Sequence, residues 1–469
     1  MSDFVPYTDL TWALVADLFV LASCTILLLM YARLTHSHPA VIYLVFHIVV
    51  VTSRSAAILV GAETLFSRWS PFFDSVTPEE ILRAVFFADA ALVAMTIAWI
   101  QVSFADLKTQ ERKLLKEKFT TPPLSATVKE EKQPVTLSAR YIWGVVAIAF
   151  PIGVVSLIML GNIPGVEKTQ LDLGEWQESS WLAVTMTWAG LSLLALIYWY
   201  GFRWWLLGAM SVYLLIMSVQ GYHRFRIVIP LILLLQIFLD RRGKKWPPAY
   251  VLAPIVAGML LFYPLKSIGR MVQEGASITQ ITEISSTAIR EAAAGQHDDQ
   301  MLLDVFAAYL TLIDDADRRY YGSTYLVLFV APVPRQWWAD KPTQSAHLFD
   351  VSTTTRPMGE MGMALSYIGE FYINFGFIGV IVLAYLLAYI LARIYFRAYR
   401  SHYYSVLRFS YLLIACNLIQ VYRDGLISLF IFTLVNMMPL SIIVFLHWIK
   451  PLHKKSSRPL IQVITPVRR

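Results

Sequence analysis

The chain has 469 residues, of which 57% are hydrophobic and only 15% charged. This composition, with a mean hydropathy of +0.56, excludes an ordinary soluble enzyme and predicts an all-α, polytopic integral membrane protein. The net charge of +7 does not indicate nucleic-acid binding, because basic loops alternate with acidic ones as the positive-inside rule requires. Cys24 and Cys416 lie in apolar runs and support neither a disulfide framework nor a thiolate metal site.

Apolar runs predict about eleven transmembrane helices, within a range of about 10–12, if runs shorter than roughly 20 residues are helices shortened by a break. They cover residues 11–32, 41–62, 84–105, 141–161, 180–200, 204–220, 224–239, 248–265, 368–392, 409–422 and 426–448. The first run is too long for a signal-peptide core and follows Asp3 and Asp9 rather than basic residues, so we expect it to be retained.

The charges of the loops predict four parts of the chain. Residues 1–265 form an N-terminal transmembrane bundle, whose basic loop at 106–140 is cytoplasmic and loosely structured. Residues 266–369 form a large periplasmic helical loop, residues 370–448 the C-terminal transmembrane helices, and residues 449–469 a basic cytoplasmic tail. An odd number of spans places the N-terminus outside.

Two stretches of the periplasmic segment have a recognisable pattern. Apolar residues at helical spacing between Thr282 and Leu312, set against acidic residues that include Asp304, predict an amphipathic helix, which we expect to rest on the membrane as a flap. The apolar stretch from Tyr325 to Pro332 is too short to span and ends in prolines, so we expect a re-entrant or interfacial segment.

Five arginines lie inside or at the edges of these apolar runs. An ionised guanidinium at bilayer depth costs at least ~2.5 to 3.5 kcal/mol, so it persists where it lines a polar cavity or has a fixed partner. Several such residues together predict an anionic ligand. They are Arg54, Arg224, Arg226, Arg335 and Arg423.

The first polar constellation is the stretch from Gln220 to Arg226 between two short apolar runs. Arg224 and Arg226 would point about 200° apart on a regular helix, so they reach one ligand only if the backbone breaks, as Gly221 allows. His223 adds an imidazole. The alternative is a pair of arginines that reach lipid phosphates at the interface.

The second constellation is the proline-rich stretch from Ala331 to Pro342. It holds the cations of Arg335 and Lys341 beside two aromatic rings, Trp337 and Trp338, which can stack on a sugar face. A tryptophan-anchored interfacial loop with ordinary charges is the alternative.

The third constellation, from Gly369 to Gly379, opens a long apolar run. Tyr367, Glu370 and Asn374 share one helical face. The Glu370 carboxylate could act as a general base or orient a guanidinium, or it could be an exposed carboxylate at a helix N-terminus.

The fourth constellation places Asn417, Gln420 and Asp424 on one face, which we expect to point into the bundle, with Gly425 ending the helix. Arg423 beside them could bind a ligand or simply neutralise Asp424. Arg54 is a weaker candidate, in the same run as His47. Asp17 and Asp89 are possible structural partners for these cations.

Three motifs occur in an order that resembles one family. They are Gly-x-x-Arg at 221–224, Pro-Arg-x-x-Trp-x-x-Lys-Pro at 334–342, and Gly-Glu-x-Tyr-x-Asn-Phe-Gly-x-x-Gly at 369–379. The chain resembles the Wzy-type polymerases of O-antigen and oligosaccharide repeat units, which are polytopic glycosyltransferases of the GT-C-like class.

The resemblance implies transfer of a growing glycan from undecaprenyl diphosphate to a lipid-linked repeat unit at the periplasmic face of the bacterial inner membrane. The donor and the acceptor are both lipid-linked, the surroundings are membrane lipids, and a chain-length regulator protein is a candidate partner.

Each candidate residue has an expected role in that reaction. Glu370 is the first choice for the general base, followed by Asp424 and His223. We expect no cofactor and no metal, since arginines would stabilise the leaving diphosphate. The expected diphosphate and glycan ligands are Arg224, Arg226, Arg335, Lys341, Arg423, Trp337, Trp338, Tyr372 and Asn374.

Two other functions stay open. An O-antigen ligase or another lipid-linked glycan transferase would share the donor and the arginines. A transporter or flippase of an anionic lipid-linked substrate would also need a cationic cavity, but near the membrane midplane. A phosphate-binding loop of the GxxxxGK[ST] type does not occur in the sequence, which argues against ATP-driven transport.

Overall fold

A computed structural model describes residues 8–60, 78–120, 139–160, 185–219, 225–248, 276–293, 302–315, 319–330, 333, 338, 365–401 and 403–449. Within these ranges the regular secondary structure is entirely helical. The all-α prediction is confirmed for this part of the chain.

We number the helices α1 to α13 in chain order. They are α1 (Thr8–Tyr31), α2 (Pro39–His47), α3 (Ser53–Leu59), α4 (Pro78–Thr120), α5 (Ala139–Leu160), α6 (Thr187–Tyr200), α7 (Trp204–Val219), α8 (Phe225–Arg241), α9 (Ile278–Ala293), α10 (Leu302–Asp315), α11 (Tyr367–Arg400), α12 (Val406–Asp424) and α13 (Leu426–Ile449). A π-helical segment, Ile48–Thr52, joins α2 to α3, and short helical turns cover Ser323–Leu326 and Val327–Val330.

Five helical stretches of the described chain are long and apolar enough to cross a membrane: Asp9–Tyr31, Pro39–Leu59, Glu79–Arg112, Tyr141–Ile158 and Tyr367–Arg400. Each coincides with a predicted span. The apolar helices α6 and α7 are shorter, α8, α12 and α13 lie at three further predicted spans, and the run at 248–265 is outside the described residues. The chain is a membrane protein, and the number of its spans stays a prediction.

Two hydrophobic cores organise the described helices. The first contains residues of α1 to α4, α10, the first two-thirds of α11 and the end of α12. The second contains residues of α5 to α8, the end of α11, the start of α12 and α13. Because α11 and α12 belong to both cores, the packing joins the predicted N-terminal and C-terminal bundles.

The loop predicted at 106–140 begins as helix. Helix α4 continues from its apolar part to Thr120, because Lys, Glu, Gln and Leu favour helix and the first proline comes only at Pro122. Residues 121–138 lie outside the described part of the chain, and α5 begins at Ala139. The prediction of a loosely structured loop is therefore wrong for its first part.

The amphipathic stretch predicted between Thr282 and Leu312 corresponds to two helices, α9 and α10. Helix α10 is not a surface flap, since Leu302, Phe306 and Leu310 are all buried in the first core. Asp304 is fully buried on the polar face of this helix. That face can be buried because the Asp304 carboxylate forms a bidentate ion pair with the guanidinium of Arg54. The charge of Asp304, which suggested a solvent-exposed helix face in the sequence, is thus neutralised by Arg54 inside the bundle.

Candidate functional site

The Gly-Glu-x-Tyr-x-Asn-Phe-Gly motif forms a break in helix α11. Gly376 has φ 68° and ψ −160° inside the helix, a conformation that side-chain-bearing residues avoid. The break frees carbonyl groups of the preceding turn, and the chain at 319–321 satisfies them: the amides of Tyr320 and Tyr321 donate to the carbonyls of Ile373 and Asn374, both at 3.0 Å. The motif thus docks a segment distant in sequence.

Asn374 completes this docking with its side chain. The amide of Gly322 donates to Asn374 Oδ1 at 2.9 Å, and the hydroxyl of Thr324 lies 3.0 Å from the same oxygen. Asn374 Nδ2 in turn donates to the carbonyl of Glu370 at 2.8 Å. Asn374 is fully buried, so its described contacts position the segment 320–324.

The carboxylate of Glu370 holds the start of the last helix. Its Oε2 accepts the amide of Leu426, the first residue of α13, at 2.7 Å, and the amide of Ile427 also interacts with it. A carboxylate at this position caps a helix N-terminus and matches its positive dipole end. Glu370 is only 3% exposed, so the alternative of an exposed helix-end carboxylate is wrong.

The second carboxylate oxygen of Glu370, Oε1, does not bond to the Leu426 amide. Oε1 accepts no hydrogen bond within the described chain, and the Tyr325 hydroxyl interacts with this carboxyl group. Gly425, which separates α12 from α13, has φ 92°, and a Cβ placed there would collide with the Glu370 carboxylate. The predicted helix end at Gly425 is confirmed. The close approach of the Glu370 carboxylate is a second reason why this position requires glycine.

Arg423 and Asp424 form the end of α12, directly before this junction. Their side chains pair at 2.9 Å and stay 24% and 19% exposed. The Arg423 guanidinium also lies 5.2 Å from the centre of the Phe225 ring, at the start of α8. The α12–α13 junction therefore lies between Glu370 on one side and the N-terminus of α8 on the other.

Arg226 lies in the first turn of α8, directly after Phe225. Its Nη1 lies 3.5 Å from the sulfur of Met186, and among the described residues no carboxylate pairs with it. The structure thus brings Glu370, Arg423 and Asp424 to one junction, and it places Arg226 one residue after Phe225, whose ring lies against Arg423.

Five other candidates lie outside the described residues: His223, Arg224, Arg335, Trp337 and Lys341. Their placement stays a prediction. Trp338 is described, and its side chain is 43% exposed.

Tyr372 takes part in an ionic cluster that the sequence did not indicate. The Tyr372 hydroxyl donates to Asp314 Oδ1 at 2.7 Å, Arg83 and Arg319 donate to the two oxygens of the same carboxylate at 2.7 and 2.8 Å, and the Arg319 guanidinium lies 4.4 Å from the centre of the Tyr372 ring. Arg83 is 231 positions from Asp314, so no local sequence pattern could have predicted this ion pair.

The charge balance of this cluster is set at Asp314. Partial burial alone would raise the pKa of its carboxyl group, but the hydrogen bonds of Arg83 and Tyr372 and the charges of Arg83 and Arg319 lower that pKa below its ordinary value. The ionic side chains of the cluster remain about one-third exposed and present two cations beside the α11 motif, whereas Tyr372 is buried.

The remaining polar candidates are structural in the described chain. Arg54 is bound to Asp304, whereas Asp17 and Asp89 lie against His47. The two aspartates are therefore not the partners of Arg54. Asn417 and Gln420 are buried, which confirms that their face points into the bundle.

A cavity of about 620 Å³ lies away from these residues. Its lining includes Tyr200, Arg203 and Arg241, and Arg241 ends α8, about 24 Å along the helix from Phe225 by the rise per residue. This cavity is separate from the candidate site.

Comparison with known proteins gives one family model that matches part of the chain. Residues 350–456 match the family model of the O-antigen polysaccharide polymerase Wzy. This range includes the α11 motif and the α12–α13 junction. Comparisons with curated proteins and with solved structures give no match. The match agrees with the resemblance seen in the motifs: the C-terminal region of the chain is similar to the Wzy-type O-antigen polymerases.

Proposed function

We propose that this protein is a membrane glycosyltransferase that polymerises undecaprenyl-diphosphate-linked oligosaccharide repeat units into O-antigen or a related surface polysaccharide. The reaction takes place at the periplasmic face of the bacterial inner membrane. The observation that carries this proposal is that the family match covers the residues that bring Glu370, Arg423 and Asp424 to one junction.

The arginines of this junction supply the positive charge that the reaction needs. As the bond between the anomeric carbon and the diphosphate breaks, negative charge develops on the leaving undecaprenyl diphosphate, and fixed guanidinium donors stabilise it. Arg226 and Arg423 take this role, joined by Arg224, Arg335 and Lys341 from the segments outside the described residues. Arginine provides the electrophilic assistance in this reaction, without a metal at the diphosphate.

Asp424 is the better placed of the two described carboxylates to accept the proton of the acceptor hydroxyl. Its side chain is 19% exposed, whereas Glu370 is 3% exposed and its Oε2 is held by the amide of Leu426. The acceptor oxygen then bonds to the anomeric carbon while the diphosphate leaves. Glu370 acts as a positioning residue that fixes the α12–α13 junction and, through it, Arg423 and Asp424.

The aromatic and amide residues of the α11 motif serve the glycan. Tyr372 is only 3% exposed and holds Arg319 over its ring, so the partly exposed Arg319 guanidinium is the group that can reach sugar hydroxyls. Asn374 positions the segment 320–324 through hydrogen bonds, and Trp337 and Trp338 provide stacking surfaces.

The test is polymerisation by purified protein in detergent or liposomes, with synthetic lipid-linked repeat units. We expect Arg226→Ala and Arg423→Ala to lower the rate by about 10²-fold or more, the usual effect of removing a donor to a developing anion. Arg290→Ala, which changes an exposed arginine of α9, is the matched control and should keep the wild-type rate. Normal rates in both site variants would refute the diphosphate assignment.

The carboxylate roles separate in the same assay. Asp424→Asn should abolish chain growth and Asp424→Glu should restore part of it, whereas Glu370→Gln should retain activity because a carboxamide oxygen can still accept the Leu426 amide. Loss of activity in Glu370→Gln with an unchanged melting temperature would instead make Glu370 the base.

A further inference from the structure

A second polar cluster lies in the first core, on helices that carry none of the proposed reaction residues. His47 Nε2 is 2.7 Å from Asp17 Oδ1 and 3.5 Å from Asp89 Oδ1. One ligand-capable atom from each residue lies within 4.8 Å of the other two. Asp17 and His47 are fully buried, and the side chain of Asp89 is 12% exposed. Three helices, α1, α2 and α4, thus present a compact set of oxygen and nitrogen donors.

Several polar atoms of this cluster lack a hydrogen-bond partner within the described chain. They include Asp17 Oδ2, Asp89 Oδ1 and the hydroxyl of Thr52. Thr52 lies close to the Asp17 carboxyl group, without a hydrogen bond of normal geometry to it, and it is about nine-tenths buried. Buried polar atoms are almost always satisfied in native proteins, so these atoms point to an occupant.

The backbone is adapted to this arrangement. His47 and Thr52 are five positions apart, which in a regular α-helix would rotate them about 140° from each other. The intervening π-helical segment, Ile48–Thr52, has more residues per turn and brings the two side chains toward the same side. Single π-helical turns inside α-helices are frequent at functional sites.

The charges of the cluster identify the kind of occupant. Asp17 and Asp89 can carry two negative charges, and no lysine or arginine of the described chain pairs with either of them. Charges in a membrane-embedded core need neutralisation. A divalent cation would balance two carboxylates and leave the imidazole neutral, as metal ligation requires.

We propose that Asp17, His47 and Asp89 form a binding site for a divalent transition-metal ion, with the Thr52 hydroxyl as a supporting group. Carboxylates alone would suit Mg²⁺ or Ca²⁺, but an imidazole ligand favours Zn²⁺, and Mn²⁺ suits the two carboxylates. Binding would tie α1 and α4 to α2.

The ion has a structural role. Tyr43, one turn before His47, places its ring 5.9 Å from the His47 ring, and its hydroxyl lies 2.6 Å from that of Tyr367, the first residue of α11. The cluster therefore supports the beginning of α11 through the contacts of Tyr43. It does not include the diphosphate residues. The expectation of a metal-independent transfer concerns only the reacting groups.

The experiment measures metal content and thermal stability, independently of activity. Protein purified without chelator should contain about one Zn or Mn ion per chain by mass spectrometry. Chelation should lower the melting temperature, and Zn²⁺ or Mn²⁺ but not Mg²⁺ should restore it. Thr52→Val should weaken the ion's affinity by about 10–100-fold, as loss of a supporting contact does.

Asp89→Asn and His47→Gln should lose the metal, and Asp106→Asn is the matched control, since it changes another buried carboxylate of the same helix. Should the variants fail to fold, the chelation series on the wild-type protein decides. Protein that contains no Zn or Mn and whose melting temperature does not respond to either ion would overturn the proposal; the cluster would then share protons.

Discussion

The cap that Glu370 provides for α13 leads to a quantitative prediction. Glu370→Ala removes the acceptor of the Leu426 amide. Loss of a helix cap costs typically ~1 kcal/mol, and a buried amide left unsatisfied costs ~1–3 kcal/mol. Because both costs describe the loss of the same hydrogen bond, they do not add, and we expect a destabilisation of about 1–3 kcal/mol. Glu370→Gln keeps an oxygen acceptor and loses only the charge at the helix end, worth about 1 kcal/mol.

The assay is thermal unfolding in detergent of the two variants and of a control, Glu283→Ala, at an exposed position of α9. We expect the melting temperature to fall most for Glu370→Ala, less for Glu370→Gln, and not measurably for the control. Chain growth should fall for Glu370→Ala, whereas Glu370→Gln should retain it. An equal melting temperature for Glu370→Ala and the wild type would refute the capping argument.

Three further predictions follow from the described contacts. Asn374→Ala should increase hydrogen exchange of residues 320–324 while α4 stays protected, because two bonds to Asn374 Oδ1 are lost; unchanged exchange would contradict the docking role. Arg54→Leu or Asp304→Leu should each destabilise the protein by about 3–5 kcal/mol, since one buried charge stays unpaired, and the double variant should recover much of this; additive losses on unfolding would contradict the pairing. Because its pKa is lowered in the folded state, Asp314 should stabilise the fold above its ordinary pKa of about 3.9, and this contribution should disappear as pH falls through the lower, folded value. Melting temperatures of the wild type and Asp314→Asn should therefore differ at pH 7 and converge in acid, and a constant difference would contradict the argument.

The sequence predicted the features that depend on local pattern. Long apolar runs indicated helices, Gly425 indicated the end of α12, and the face of Asn417 and Gln420 indicated burial, because each of these follows from residues close together in the chain. The α11 motif indicated a site without indicating its form.

Features that depend on distant partners could not be predicted. Asp304 suggested a solvated helix face, because its partner Arg54 lies 250 positions away. Glu370 suggested an accessible base, because its partner is a backbone amide, which has no signature in the sequence. The same applies to Asp314, whose two arginines come from different parts of the chain.

The central claim is that this protein joins lipid-linked repeat units into a polymer. The most direct measurement is the product distribution formed by the purified wild-type protein from undecaprenyl-diphosphate-linked repeat units alone. We predict a ladder of products that differ by one repeat unit. Absence of extension, with a single transfer to lipid A core or movement of intact lipid across the vesicle membrane instead, would contradict the claim and indicate a ligase or a transporter.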